Sequence, residues 1–313
     1  MHPAISVVLF TVLSGAGYGF VALFVAVDAL GLGAATGLRE LAAAAVIGAV
    51  LITVGLLFSV GHLARPGRAW RSFARFRTSW LSREAVLAVA FYPVAALYLA
   101  AYALTGLEHN AATLILGTLT ALLAVATVVA TGMIYACVQA IREWRQALTP
   151  VNYLLIGLAL GGALLTAFLA ATGAETRSAA LITMVLLVAA GIAKTAWYAG
   201  NGRTGLSSKA TALGLGATGP VRLVDRGHSG GNFLTREFQY PLSAGVAQGL
   251  RAFALVATFL VPLLPLGVVL LGGAPVWAYV ALGVALAGAL VERWLVFAEA
   301  RHAVRLFYDT ARL

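Results

Sequence analysis

The stretch ATLILGTLTALLAVATVVATGMIYACV, residues Ala112–Val138, carries no charged side chain and is long enough to cross a lipid bilayer. A membrane-spanning helix needs about 20 consecutive apolar residues. Seven further long apolar runs lie along the chain: Ile5–Val27, Leu41–Gly61, Ala85–Leu104, Tyr153–Ala171, Ala179–Tyr198, Ala252–Leu271 and Val276–Phe297. All are rich in Ala, Leu, Val and Gly and lack the alternation of barrel strands. The pattern therefore predicts eight transmembrane helices.

The overall composition excludes a water-soluble globular protein. Of 313 residues, 61% are hydrophobic and only 10% are charged, and the mean hydropathy is +0.94. We predict an all-α integral membrane protein, an eight-transmembrane-helix bundle with both termini on the same side. Residues 1–313 form a single polytopic membrane domain in this prediction, and the glycine-rich segment 200–248 is a long cytoplasmic loop between the sixth and seventh spans.

Basic residues are distributed unevenly between the two sides of this topology. Most lie in the loops after spans two, four and six and at the C-terminal end, whereas the other side keeps only Arg39 and Arg177. Loops rich in Lys and Arg remain on the cytoplasmic side of a membrane. We therefore expect the basic loops and both termini to face the cytoplasm of a bacterial inner membrane.

The loop between spans two and three, Arg65–Glu84, contains six arginines and four aromatic residues. Membrane orientation alone would explain a basic loop, but both residue types are also enriched at protein interfaces. The sequence thus predicts a surface that docks a partner, and the docking residues are expected to be Arg68, Arg71, Arg75 and Arg77.

His62 and Glu84 flank this loop and could exchange protons with a quinone headgroup at the membrane surface. A histidine near its ordinary pKa can give and take protons at physiological pH. In this hypothesis Glu84 is paired with Arg65 or Arg83. The alternative is an ordinary interfacial histidine and a glutamate that is stabilised by the dipole at a helix N-terminus.

Four other charged residues lie in or near the spans. Lys194 is close enough to a helix end for its ammonium group to reach the interface, and Asp28 is expected to reach the interface in the same way. Glu292 and Arg293 are adjacent near the end of the last span, where a buried ion pair and a functional site are both compatible with the sequence.

The chain offers few ligands for a cofactor of its own. Cys137 is the only cysteine, which excludes a thiolate metal centre or an iron–sulfur cluster built from this chain. None of the five histidines lies inside a span, so neither haem nor another metal is expected. The histidines are His2, His62, His109, His228 and His302.

Several segments resemble the DmsC family, the membrane anchor subunits of dimethyl sulfoxide reductase-type molybdoenzymes. The most specific is the block HLARPGRAWRSF followed by SWLSRE. The matching segments are His62–Phe73, Ser79–Glu84, His2–Ser6, Leu13–Gly19, Thr131–Ala136 and Glu292–Glu299. The chain departs from the family pattern at Ala64, Trp70 and Arg83, where relatives often carry Gly, Phe and Asn.

The resemblance implies a complex of three subunits. A molybdopterin-containing catalytic subunit performs the substrate chemistry, and a ferredoxin-like subunit with four iron–sulfur clusters relays electrons. The present chain anchors both and exchanges electrons with ubiquinone or menaquinone. The resemblance links the histidine and glutamate of the pattern to quinol binding, so the expected quinone-binding residues are His62, Arg65, Trp80 and Glu84. Proton transfer is assigned to His62 and Glu84, and no residue of this chain is expected to be catalytic.

The direction of electron flow depends on the side that carries the soluble subunits. A cytoplasmic basic face favours the anchor of a sulfite:quinone oxidoreductase, and the alternative is the quinol-oxidising anchor of a dimethyl sulfoxide or S-oxide reductase. A small-molecule transporter is the rival from another class. Inverted repeats and charges at mid-membrane would favour a transporter, and the sequence shows neither. No nucleic-acid partner is expected.

Overall fold

The computed structural model describes residues 2–32, 37–61, 63–106, 108–203, 209–215, 221, 224, 238 and 240–304. Within these ranges the chain has eight helices long and apolar enough to cross a membrane. In chain order they are α1 (Ile5–Ala29), α2 (Leu38–Gly61), α3 (Trp80–Leu104), α4 (Ala111–Ala136), α5 (Leu148–Thr172), α6 (Arg177–Arg203), α7 (Ala244–Leu270) and α8 (Val276–Ala298). The prediction of an all-α protein with eight membrane helices is confirmed.

Helix α3 begins five residues earlier than hydropathy predicts, at Trp80 rather than Ala85. The cause is the cap: the Ser79 hydroxyl accepts a hydrogen bond from the backbone N–H of Ser82 at 3.4 Å. A serine in this position satisfies a donor that the first helical turn leaves free. Glu84 consequently lies inside α3, beyond its first turn, rather than in the loop.

The predicted long loop is shortened by helix at both of its ends. Helix α6 continues to Arg203 and α7 begins at Ala244, where the Ser243 hydroxyl caps the first turn. Between them the structure describes a short helix, Lys209–Ala212. Most of the remaining loop residues lie outside the described part of the chain.

Helix α7 changes geometry at its middle. Residues Val256–Leu260 form a π-helical turn, and Pro262 follows it. Proline removes a helical hydrogen bond, and a π-turn accommodates such an interruption within a continuous helix. A Cβ atom added to Gly288 of α8 would lie 2.5 Å from the backbone nitrogen of Thr258. Helix α8 therefore approaches α7 most closely at this turn, and only glycine leaves room for it.

Helix α1 is the central helix of the bundle and contacts α2, α4, α5 and α8. Glycines make its contact with α5 close, because a Cβ atom on Gly19 would overlap the carbonyl group of Gly157. A Cβ atom on Gly161 of α5 would likewise overlap the backbone of Gly19 of α1. Small residues allow such backbone contacts in a membrane, where packing rather than water drives helix association.

Consecutive helices run in opposite directions. Gly55 of α2 lies against Ser14 of α1 and Gly48 lies against Val21, so residue numbers rise along one helix as they fall along the other. Connections α2–α3, α4–α5 and α6–α7 therefore lie at one end of the bundle, which we call the basic end. We call the opposite end the distal end.

The start of α1, the α4–α5 connection and the end of α8 pack together at the basic end. The Trp144 indole N–H, from the α4–α5 connection, donates a hydrogen bond to the Val296 carbonyl of α8 at 2.8 Å. Ile141 and His302 form an isolated β-bridge. The first turns of α1 pack into the same apolar cluster, which consists of Val8, Ile141, Trp144, Val296, Phe297 and Ala300.

Candidate functional site: a buried carboxyl below an arginine platform

The arginine-rich loop forms a 3₁₀ helix, Pro66–Arg75, that has no buried residue. Trp70 is 66% exposed, and the Arg71 guanidinium lies 5.7 Å from the centroid of its ring. Among the described residues, no carboxylate lies within 4.0 Å of the predicted docking residues. These are Arg68, Arg71, Arg75 and Arg77, and all four are exposed. We call this surface the arginine platform.

Glu84 lies directly behind the platform and points into the bundle. Its side chain is only 5% exposed. The Thr131 hydroxyl of α4 donates a short hydrogen bond to its carboxyl group and is also within 3.0 Å of the Thr127 carbonyl oxygen. The platform is tied to the same helical turn, because the backbone N–H of Arg75 donates to the Ser82 hydroxyl at 3.2 Å.

Two tyrosines complete the surroundings of Glu84. Tyr18 of α1 and Tyr135 of α4 are close enough to interact electrostatically with its carboxylate. The Tyr18 ring also meets Phe91 edge-on, with 5.2 Å between the ring centroids. Glu84 is thus a carboxyl group in an apolar setting that is bordered by hydroxyl groups from neighbouring helices. Such a group can hold or release a proton toward a ligand.

The other predicted quinone-binding residues lie outside this buried pocket or outside the described chain. His62 is not among the described residues. Arg65 is exposed, and Trp80 is half-buried at the start of α3. The structure therefore places Trp80 and Glu84 four residues apart in the first turns of α3, and it leaves the pairing of His62 with Glu84 as a prediction.

The expected ion pair between Glu84 and Arg65 or Arg83 is wrong. Arg83 donates from Nε to the Phe76 carbonyl at 3.0 Å, and its guanidinium stacks 4.2 Å from the Trp80 ring centroid. Successive helical residues point about 100° apart. Because α3 already includes both positions, Arg83 faces the platform while Glu84 faces α4.

A cavity of about 200 Å³ lies among α1, α2, α3 and α4. Its walls are almost wholly apolar and include Phe24, Leu41, Phe91 and Leu99. Phe91 belongs both to this cavity and to the contact with Tyr18, so the cavity begins near the Glu84 pocket and extends toward the distal end. The alanines and leucines that line it look like ordinary packing residues in the sequence, which therefore contained no signal for it.

Lys194 does not reach the membrane surface, so that expectation is also wrong. It is 1% exposed, and its Nζ atom lies 2.5 Å from Oε1 of Glu292, which is equally buried. Arg293 is buried beside them, with its Nε atom 3.6 Å from Oε2 of Glu292. The buried ion pair that the sequence allowed near the end of the last span is present, and Lys194 is an additional member of it.

Asp28, near the distal end, is buried as well and does not extend to the interface as expected. The Tyr102 hydroxyl donates to its carboxylate at 2.5 Å and the Tyr98 hydroxyl at 3.3 Å. His109 lies 3.9 Å away and is within hydrogen-bonding distance of the Tyr102 hydroxyl, at 2.9 Å. Sequence analysis missed this cluster because its members come from three separate helix ends.

Comparison with known proteins agrees with the resemblance seen in the sequence motifs. Residues 1–309 match the family model described as DMSO reductase anchor subunit (DmsC). The chain is 35% identical to a sulfite dehydrogenase subunit from Allochromatium vinosum, over 99% of each chain. No solved structure matches it significantly. The chain therefore belongs to the DmsC family and is a multi-pass membrane anchor of a molybdoenzyme complex.

Proposed function

We propose that this anchor passes electrons from a sulfite-oxidising molybdopterin subunit to quinone. Oxidation of sulfite to sulfate takes an oxygen atom from water and releases two electrons and two protons, and reduction of quinone to quinol consumes two electrons and two protons. A ferredoxin-like subunit with four iron–sulfur clusters carries the electrons between them. The similarity to a sulfite dehydrogenase subunit favours this direction over reduction of dimethyl sulfoxide or another S-oxide.

The arginine platform is the proposed docking surface for the iron–sulfur subunit. Its guanidinium groups are exposed, and no described carboxylate pairs with them. Arginine forms two-pronged hydrogen bonds with carboxylates, and exposed aromatic residues beside it add apolar contact area. An acidic partner surface would satisfy both features, and it would bring the electron donor to the basic end.

The observation that carries the proposal is the burial of Glu84 directly behind this platform. Quinone reduction needs a proton donor close to the headgroup and an electron donor within reach of it, and the basic end provides a place for both. We assign the direct headgroup contact to His62, as the sequence motif implies, and proton transfer to His62 and Glu84. Arg65 and Trp80 are assigned to the rim of the site.

The apolar cavity is suited to the isoprenoid tail of the same quinone. Phe91 lies seven residues after Glu84 in α3, a separation of about 10 Å along a helix. A headgroup beside Glu84 would thus place its tail against Phe91 and the walls beyond. Ligand sites of this kind combine apolar walls with a few polar groups at one point.

The proposed orientation puts the basic end, with the soluble subunits, in the cytoplasm of a bacterial inner membrane. The support is the concentration of arginine in the connections at that end. Sulfite oxidation would then take place in the cytoplasm, and both termini of the anchor would face the same compartment.

The test compares Glu84→Gln with Glu108→Gln in membranes that contain the whole complex. Glutamine has nearly the shape of glutamate but cannot supply a proton, and Glu108 is an exposed glutamate at the distal end. We expect Glu84→Gln to lower sulfite-dependent quinone reduction by about tenfold to a hundredfold. Sulfite oxidation with an artificial acceptor that takes electrons from the soluble subunits should stay at the wild-type rate in both variants.

Wild-type quinone kinetics in Glu84→Gln would contradict the proposed site. If the purified complex instead reduced dimethyl sulfoxide with quinol and failed to oxidise sulfite, the direction of electron flow would be wrong, while the site itself would still be judged by the Glu84 comparison.

A further inference from the structure

Lys194, Glu292 and Arg293 form a charged cluster deep inside the basic half of the bundle. Lys194 lies nine residues before the end of α6, and Glu292 lies six residues before the end of α8. They are therefore about 9 to 14 Å along their helices from the basic end. Charges at such depth in membrane proteins are costly and usually mark proton or ion pathways.

The cluster is connected toward Glu84 through two tyrosines. The Arg293 guanidinium lies 3.8 Å from the centroid of the Tyr153 ring, and that ring stacks on Tyr135 with 5.3 Å between centroids. Tyr135 lies one helical turn after Thr131, which donates its hydrogen bond to Glu84. A line of buried and half-buried polar side chains thus runs across the bundle from α3 to α8.

The same cluster is connected to the surface on its other side. The Lys194 ammonium lies 4.8 Å from the centroid of the Tyr198 ring, and the Arg251 guanidinium lies 5.4 Å from that centroid. Arg251 is half-exposed and pairs with Glu299 at 2.6 Å. Burial raises the pKa of Glu299 above its ordinary value, although the Arg251 hydrogen bond opposes this effect.

Several polar atoms along this line are buried and lack a hydrogen bond of ordinary geometry among the described residues. They are the hydroxyls of Tyr18, Tyr153 and Tyr198, the Glu292 carboxylate oxygens and Nε of Arg293. Buried groups of this kind are normally satisfied by ordered water. Water bound at these atoms would bridge the gaps between successive side chains and complete a path for protons.

We propose that Lys194 and Glu292 form a proton relay between the Glu84 pocket and the water at the Arg251–Glu299 surface. The inference rests on the proposed quinone reaction. Quinone takes two electrons from the partner subunits and two protons from its site. Glu84 gives a proton to a quinone oxygen and is reprotonated through the tyrosines and their bound water.

Each residue of the cluster has a distinct part in this relay. The Lys194 ammonium releases a proton to the Glu292 carboxylate, which passes it through bound water toward Tyr153, and Lys194 takes up another proton from the Glu299 side, because a buried lysine titrates readily. Arg293 keeps its proton throughout and compensates the charge of the Glu292 carboxylate. A purely structural ion pair, which would only hold α6 against α8, requires no exchange of protons.

The experiment replaces Lys194 with arginine and with methionine. Lys194→Arg keeps the positive charge and a partner for Glu292 but cannot release a proton at physiological pH. Lys194→Met leaves one buried anion and one buried cation, Glu292 and Arg293. The controls are the same two substitutions at Lys209, the other lysine of the chain, which lies in the α6–α7 connection.

We expect both Lys194 variants to assemble and to oxidise sulfite normally with an artificial acceptor. Their quinone reduction should fall by at least about tenfold, with a larger solvent deuterium isotope effect, because proton delivery becomes slower than electron transfer. The Lys209 variants should match the wild type in every measurement, including the isotope effect.

Wild-type quinone turnover in an assembled Lys194→Arg or Lys194→Met complex would overturn the relay. Failure of both variants to assemble would overturn the relay as well, because the Lys194–Glu292 ion pair would then serve only to hold α6 against α8. The Glu84→Gln comparison separates the two proposals: if only that variant loses quinone turnover, the relay is wrong and the quinone site stands.

Discussion

Glu84 at the basic end and Asp28 near the distal end are both buried carboxyl groups, at 5% and 4% exposure, yet their surroundings differ. Asp28 accepts hydrogen bonds from two tyrosine hydroxyls of α3 and lies beside His109. Glu84 accepts one described side-chain hydrogen bond, from Thr131.

The two carboxyl groups therefore differ in how much of their hydrogen-bonding capacity the surrounding protein fills. A carboxylate has about four lone-pair positions to satisfy. The local partners of Asp28 use much of that capacity and fasten α1 to α3, whereas Glu84 keeps capacity free for a ligand or for water. The arginine platform and the buried polar line both lie at the Glu84 end, where we propose that electrons and protons are delivered.

Of the substitutions that compare the two ends, charge reversal of the arginine platform should have the largest effect. We expect Arg71→Glu together with Arg75→Glu to release most of the catalytic and iron–sulfur subunits from the membrane, because an acidic partner would then face negative charge. Reversal of Arg39 and Arg177, which are exposed at the distal end, changes the net charge equally and should leave retention normal. Immunoblots of washed membranes measure the retained fraction.

The same membranes provide the check on this prediction. A topology reporter fused after Leu313 must give the wild-type result in both double variants, since arginine loops also determine orientation. Normal retention of the soluble subunits in a correctly oriented platform variant would mean that docking takes place on another surface.

Asp28→Asn should have a smaller effect, and one of a different kind. The substitution removes the charge that strengthens two tyrosine hydrogen bonds, so we expect a loss of about 1–3 kcal/mol in stability. Thermal denaturation of the purified complex should shift to lower temperature, with quinone turnover per assembled complex unchanged. A fall in quinone turnover as large as that expected of Glu84→Gln would contradict the proposal that only the carboxyl group at the basic end takes part in the quinone reaction.

The eight membrane helices could be predicted because long apolar runs in lipid have few alternatives to a helix. The helix starts could not be predicted as well. The first turn of α3 is polar, so hydropathy places the start of the helix too late. The Ser79 cap explains why Trp80 and Glu84 belong to the helix. This shift of five residues turned Glu84 from an interfacial residue into a buried one.

Sequence reasoning identified Glu84 by its motif but not its partners. Thr131 and Tyr18 are far from Glu84 in the chain, and their roles depend on how α1, α3 and α4 pack. Lys194 was misjudged for the same reason, because distance from a helix end does not show whether Glu292 lies opposite it inside the bundle. Composition and residue spacing therefore do not predict which side chains of different helices contact each other in such a site.

Labelling with a photoreactive quinone tests most directly the claim that quinone reacts at the basic end. The complex is illuminated with an azido-quinone that carries an isoprenoid tail, digested, and mapped by mass spectrometry, with excess natural quinone as competitor. We predict competitor-sensitive labels from the headgroup in the segments Trp80–Phe91 and Thr131–Ala136. Labels concentrated instead at Asp28 and at Tyr98–His109 would place the headgroup near the distal end and contradict the account.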